Sequence, residues 1–290
     1  MSQTEQSFSD KWHKNRDLAF AETQREGSDL QSWILGRNGF HNLEALRNHL
    51  QSKTRILDAG CGNGRVTALL RTAAPAGTTV VGIDLVAAKV AAGNLDGAPK
   101  VEFYDKDLLG DLSDLGSFDF IYCQEVLHHT SDPRGAFLNL AGRLHERGEI
   151  AIYVYKLKAP IREFSDDYVR ERISNLSYDE AMKTCREITQ LGRDLSKSGL
   201  EVTVPGVGVL GISAGTYPVQ RFLYHFFLKC FWNDSFSPEE NAVINYDWFH
   251  PQVATRHTLP EVLEWFDAAG LRPFHQCVDE YGITVRGIRP

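Results

Sequence analysis

The sequence predicts a doubly wound α/β fold, a parallel sheet with helices on both faces, on three observations. Five short, almost continuously apolar runs follow one another between residues 55 and 155, separated by stretches of helical composition. The first run ends in a cluster of glycines, the punctuation of a tight turn from strand to helix. After the fifth run the alternation stops over 157–257 and resumes at 258. That interruption reads as a cap inserted after the fifth strand.

The runs are 55–59 (RILDA), 78–84 (TTVVGID), 101–104, 118–123 and 149–155 (EIAIYVY). Strands apolar at nearly every position are buried on both faces, which is the habit of parallel sheets. Between them, 65–74 is helical and is broken by Pro75-Ala76-Gly77, and 86–92 is rich in alanine. Asp132-Pro133 places a cap acceptor before a proline at the first helical position, predicting a helix through Leu144. The interruption has helical patterns over 165–197 and an aromatic-rich segment beyond. Ser177/Glu180, Ser237/Glu240 and Thr258/Glu261 fit the reciprocal capping box. A helix over 258–269 and strands over 273–278 and 283–288 complete a seven-stranded core. The expected divisions are a helical N-terminal arm (1–54), the core (55–156), the cap (157–257) and the return to the core (258–290).

Composition limits the function classes. A hydrophobic fraction of 42% is ample for a buried core, so general disorder is excluded. With 31 basic and 38 acidic side chains the net charge is −7, which disfavours partners held by phosphate neutralisation, nucleic acid and anionic membranes alike. Lys156, Lys158, Arg162, Arg170 and Arg172 are interleaved with Glu163, Asp166, Asp167 and Glu171, which predicts a solvated helix face rather than an RNA track. The aromatic stretch 222–232 is far short of the roughly twenty residues of a spanning helix, and the polar N-terminus lacks the apolar run of a signal peptide. Cysteines at 61, 123, 185, 230 and 277 form neither a zinc ribbon nor a disulfide framework. Free thiols in a reducing cytoplasm and no metal site are the expectation.

The most informative segment is ILDAGCGNGR, residues 56–65. Glycines at 60, 62 and 64 allow a sharp turn and close approach of a ligand. A pyrophosphate is disfavoured: the dinucleotide fingerprint wants glycine at position 65, which is arginine. Asp58 at the strand end would also repel a diphosphate, whereas it suits an ammonium. Asp84 ends the second strand, where a carboxylate can accept both hydroxyls of a ribose. Asp107 follows the third and can accept from an exocyclic amine such as adenine N6. Ammonium, ribose diol and adenine without phosphate specify S-adenosylmethionine.

On these residues the chain resembles the class I S-adenosylmethionine-dependent methyltransferases, over roughly 50–156 and 257–290. ILDAGCGNG is similar to the family's first motif, VVGIDL to its acidic ribose motif, DKDLL to its adenine loop and FDFIYCQEVLHHTSDP to its fourth-strand motif. The four stand in order at the right separations. The resemblance implies a Rossmann-like sheet with its last strand antiparallel. It also implies cofactor positions at Asp58, Gly60, Cys61, Gly62, Asn63, Asp84, Leu85, Asp107, Leu108 and Gln124. The Cys61 side chain, like that of Cys123, is expected to be a small packing residue. Phe8-Ser-Asp-Lys-Trp12 resembles an arm that folds over the cofactor in some members, adding Trp12.

Methyl transfer from a sulfonium is an in-line displacement, so the protein chiefly positions the nucleophile and excludes water. If the acceptor arrives protonated, His128 and His129 are the candidate bases; the competing role for both is packing. Residues 217–249 hold 11 of the 31 aromatic side chains, consistent with a satellite core or with a cover for a flat acceptor. Tyr224, Tyr246 and Trp248, with polar handles, are the substrate candidates. Arg256 would pair with a substrate carboxylate or with Asp247. The resulting expectation is a methyltransferase acting on a small molecule, with the cap supplying acceptor specificity. The alternatives are an RNA or protein methyltransferase, which the acidic charge disfavours, and a non-catalytic S-adenosylmethionine-binding regulator. Acceptor atom and oligomeric state stay open.

Overall fold

Strands buried on both faces need helices on both, and the computed structural model, which describes residues 1–290, supplies them. Along the chain run α1 (Gln3–Lys14), α2 (Phe20–Gln24), α3 (Asp29–Arg37), α4 (Leu43–Leu50), β1 (Arg55–Ala59), α5 (Arg65–Ala73), β2 (Thr79–Asp84), α6 (Ala88–Asn94), β3 (Val101–Asp105) and β4 (Phe118–Gln124). Then come α7 (Pro133–Ala141), β5 (Leu144–Tyr155), α8 (Pro160–Ile173), α9 (Tyr178–Lys197), β6 (Glu201–Val204) and β7 (Gly215–Pro218). The last elements are α10 (Val219–Phe226), α11 (Pro238–Phe249), α12 (Leu259–Ala268), β8 (Arg272–Val278) and β9 (Gly282–Ile288). Two compact units result: Trp12–Lys156 with Thr255–Pro290, and Met1–Lys11 with Leu157–Ala254. The first eleven residues thus group with the insertion, and the rest of the expected arm with the sheet. No helix is long and apolar enough to cross a membrane.

In the sheet unit the strand order is β3-β2-β1-β4-β5-β9-β8. The first five strands pair in parallel, and β9 runs antiparallel to both β5 and β8. Alternate residues feed two cores. Leu57, Val81, Ile121 and Ile152 pack with Phe137 and Phe266 on one face. Ile56, Val80, Phe120 and Ala151 pack with Ile34, Leu46 and Leu69 on the other. Strand order reverses between β1 and β4, and the crevice outside the carboxyl ends at such a point is where open α/β sheets bind ligands. The insertion leaves after Lys156 and returns at His257, and these two residues form a parallel bridge.

Asp132 caps α7 through the Gly135 N–H as expected, but the helix stops at Ala141 rather than reaching Leu144. Leu144 instead opens β5 opposite Phe118. Its spacing from Leu140 imitates one more helical turn, but Gly142 ends the helix and pairing with the sheet buries the side chain. All three capping boxes are formed.

The other unit packs α8, α9, α10 and α11 with the β6–β7 hairpin. That hairpin went unforeseen because its alternation of exposed and half-buried residues spans only four positions per strand. The basic stretch beyond residue 156 is not the solvated face its composition predicts, because Arg162 and Arg170 are buried. Arg162 Nε donates to Asp166 Oδ2 at 2.8 Å, and its guanidinium also donates to the Tyr224 carbonyl. Asp166 accepts from Trp248 Nε1 at 2.8 Å and from the Lys229 N–H at 2.9 Å. One carboxylate therefore ties α8 to α11 and to the segment between them. Asp166→Ala strands the Arg162 charge inside the unit and is expected to cost about 3–5 kcal/mol, measured by urea denaturation.

Candidate functional site

The turn after β1 is shaped by three glycines with left-handed backbone, at φ 79° (Gly60), 54° (Gly62) and 84° (Gly64). A Cβ at Gly60 would lie 2.2 Å from Val126 Cγ2, at Gly62 2.7 Å from Trp12 Cζ2, and at Gly64 2.8 Å from Leu95 Cδ1. Both conformation and space therefore demand glycine. The Gly60 and Cys61 N–H groups donate to the Ile83 carbonyl at 2.7 and 2.9 Å, tying the turn to β2. Asp84 Oδ2 accepts from the Gly62 N–H at 3.0 Å, and Oδ1 accepts from Val86 and Ala87, both at 2.9 Å. The expected ribose acceptor is thus held against the turn by backbone donors.

Asp58, 2% exposed, accepts from Thr67 Oγ1 at 2.6 Å. Burial raises its pKa to about 7, against the opposing pull of the Thr67 hydroxyl and Arg65. Near neutrality this carboxyl is poised between its two forms, as a group that meets a cationic ligand can be. Gln124 ends β4 with its Oε1 taking the Tyr122 hydroxyl proton, while its buried Nε2 has no hydrogen-bond partner. Asp107 is exposed and accepts from the Leu109 N–H at 2.9 Å. Leu85, next to Asp84 in the chain, is exposed at 43%.

Three expected cofactor positions have side chains turned elsewhere. Asn63 is fully buried and donates to the Arg16 and Leu18 carbonyls at 2.9 and 3.0 Å, so its amide fastens the N-terminal segment to the turn. Cys61 is a buried thiol whose pKa burial pushes well up, in keeping with packing. Leu108 belongs to the apolar core beside β4. What these residues can offer a ligand is backbone.

His128 and His129 form a 3-10 turn after β4. The His128 ring is stacked on Tyr155, with centroids 3.6 Å apart, and the half-buried His129 meets Tyr155 edge-on at 5.5 Å. The His128 carbonyl accepts from the N–H and Oγ1 of Thr255, placing Arg256 on the return segment beside this turn. The substrate candidates in the other unit are core residues. Tyr246 is fully buried with Ser7 donating to its hydroxyl, Trp248 donates to Asp166, and the Tyr224 ring covers Arg162. Their polar handles are engaged within the unit's own interior. Asp247 pairs with Lys11 at 2.8 Å.

Sequence reasoning overlooked Glu125, a non-glycine residue at φ 58° that pairs with Arg65 at 3.3 Å. It also overlooked Arg37, buried between Trp33 and Tyr153. Left-handed backbone at a strand end is a frequent companion of function, but no residue type announces it. The Trp33-x-x-x-Arg37 spacing was visible, whereas its third member, Tyr153, is remote in sequence.

A model of the methyltransferase domain matches residues 25–204. The chain belongs to that family. The match bears out the resemblance to class I S-adenosylmethionine-dependent methyltransferases. An uncharacterized protein of Synechococcus is 34% identical over 122 residues, covering 39% of this chain and 29% of that protein. A trans-aconitate 2-methyltransferase of Deinococcus radiodurans is 33% identical over 101 residues, covering 34% of this chain and 37% of that protein. The matched stretches thus span well under half of either curated relative. Among solved structures, the N-methyltransferase NodS of Bradyrhizobium japonicum aligns over 100% of both chains at 15% identity, with a TM-score of 0.47.

Asp58 yields a stability prediction. Its folded pKa is raised from 3.8 to about 7, so its contribution is fully present below pH 4 and is lost as pH rises through 7, falling by about 1.4 kcal/mol for each pH step between those values. Asp58→Asn removes this titration. The melting temperature of the ligand-free wild type is expected to fall relative to the variant between pH 5 and pH 8, measured by thermal unfolding across that range.

Proposed function

We propose that this chain transfers the methyl group of S-adenosylmethionine to a small-molecule acceptor by in-line displacement. The observation that carries the reading is the glycine turn held to the Asp84 carboxylate at the reversal of strand order. The turn fits the cofactor on its own geometry: it admits no Cβ, its walls are Trp12 and Val126, and the unpartnered Gln124 Nε2 lies at the neighbouring strand end. Asp58 would take the ammonium, Asp84 the ribose hydroxyls and Asp107 the adenine amine, with Trp12 over the turn. The cofactor supplies an activated methyl group on a sulfonium.

The protein's own part is to bind, orient and exclude water. Where the acceptor arrives protonated, a base at the end of β4 removes the proton as the new bond forms. His129 is better suited than His128, whose ring is fully buried and stacked. A net charge of −7 supports a small acceptor over an RNA, and the Deinococcus relative, a trans-aconitate 2-methyltransferase by name, is of the same kind.

Calorimetric titration with S-adenosylmethionine tests the reading. The contact needs an ionised Asp58 and a protonated α-amino group, so affinity is expected to be about tenfold higher at pH 7 than at pH 5.5, and Asp58→Asn should flatten that dependence. No binding up to millimolar concentration overturns the proposal. Bound cofactor with no S-adenosylhomocysteine formed from a metabolite extract would favour a non-catalytic binder. His129→Ala is expected to lower turnover by about 100-fold or more with unchanged cofactor affinity; turnover near wild type removes the base role.

A further inference from the structure

The sheet unit holds a buried positive charge, Arg37, that no carboxylate neutralises. Arg37, at the end of α3, is 3% exposed, and the one polar group its guanidinium meets is the Tyr122 hydroxyl. No carboxylate stands within ion-pair distance of it, in contrast to Arg162 with Asp166 or Arg286 with Glu149. A buried arginine without an anionic partner is costly, and a single phenol oxygen that also accepts from Asn38 cannot satisfy five N–H donors.

The surroundings show what the group is prepared for. The guanidinium lies over Trp33, 3.8 Å from the ring centroid, and over Tyr153 at 4.1 Å. Aromatic rings stabilise the cation through its flat faces and leave its hydrogen-bonding edge to something else. Trp33 is itself fixed, its Nε1 donating to Asp279 Oδ2 at 3.0 Å. Tyr153 stands opposite Gln124 in the β4–β5 register. Burial raises the pKa of the Tyr122 phenol, and the charge of Arg37 and a hydrogen bond from it work against that rise. That phenol accepts from Asn38 Nδ2 at 3.0 Å and donates to Gln124 Oε1, which leaves Gln124 Nε2 as an unpartnered donor. A guanidinium with no carboxylate partner and the unpartnered Gln124 amide therefore share the sheet face at the carboxyl ends of β4 and β5.

We infer that Arg37 is the centre of an acceptor-recognition site, in which it holds a carboxylate of the methyl acceptor edge-on between the Trp33 and Tyr153 rings, beside the cofactor position at Gln124. The inference rests on the methyltransferase reading and deepens it by naming the acceptor class. The carboxylate is the handle rather than the methylated atom, because lone pairs engaged by in-plane N–H donors are poor nucleophiles. The nucleophile is a different group of the same molecule.

The test is calorimetric titration of the full chain, loaded with S-adenosylhomocysteine, with benzoate and with its uncharged counterpart benzamide. Benzoate is expected to bind at least tenfold more tightly, and Arg37→Gln to weaken benzoate by about 10- to 100-fold, the range for loss of a charged hydrogen-bond partner. Affinity for S-adenosylhomocysteine should stay within about threefold of wild type, since Arg37 serves the acceptor and not the cofactor. Arg37→Lys keeps the charge without the planar fork and should recover only part of the loss. Equal binding of benzoate and benzamide, binding of neither, or benzoate affinity unaltered in Arg37→Gln would each overturn the inference. The wild-type comparison decides even if a variant fails to fold. Failure of S-adenosylhomocysteine to bind is a separate result: it strikes the cofactor reading, and the benzoate comparison on the unloaded chain still judges the anion site.

Discussion

The turn that closes β1 leaves no volume for side chains, and the candidate site is organised around that constraint. Val126, Trp12 and Leu95 occupy the positions where three Cβ atoms would project. Because these three come from the β4 loop, the N-terminal segment and the end of α6, the backbone at residues 60–64 is fixed from several sides at once. Asp84 secures it from β2 through the Gly62 N–H. Parallel pairing of β1 with both β2 and β4 then carries this arrangement to the Gln124 end of the sheet. The location of the site thus follows from strand order, and its shape from the absence of three methyl groups.

Much of this was legible in the chain itself, where local chemistry decides the outcome. Serine or threonine three residues before glutamate can satisfy helix N–H donors without help from elsewhere, and all three such boxes form. Strands apolar at every position admit only a covered parallel sheet, and the glycine spacing separates this turn from a diphosphate cradle. The misses are places where tertiary contacts outweigh local pattern. Leu144 has helical spacing but joins β5, and the polar handles of Tyr246 and Trp248 hydrogen-bond inside their own unit. Asn63, adjacent to the turn in sequence, faces away from it because Arg16 and Leu18 present carbonyls there. Arg37 could not be read at all, since its setting depends on Tyr153, which only the sheet brings near.

Buried charge is handled in three different ways within one chain. Arg162 is neutralised by Asp166, whose remaining acceptor capacity is filled by Trp248 and Lys229. Asp58 instead moves its pKa toward neutrality and leans on a threonine hydroxyl. Arg37 has two ring faces and the Tyr122 hydroxyl, but no carboxylate. The first arrangement suits a permanent structural tie, since all its members are present in the folded chain. The other two leave electrostatic demand unmet at the ends of β1, β4 and β5, which are the places where a ligand of opposite charge gains most.

The bridge between Lys156 and His257 has a consequence for how such a protein can diversify. The insertion begins and ends at neighbouring residues of the sheet unit, so the Lys156–His257 bridge closes the strand pairing on its own. Lengthening, shortening or exchanging residues 157–254 need not alter the register of any strand in the central sheet. Descendants of one cofactor-binding core could therefore explore new appendages one at a time, each accepted or discarded without renegotiating the scaffold.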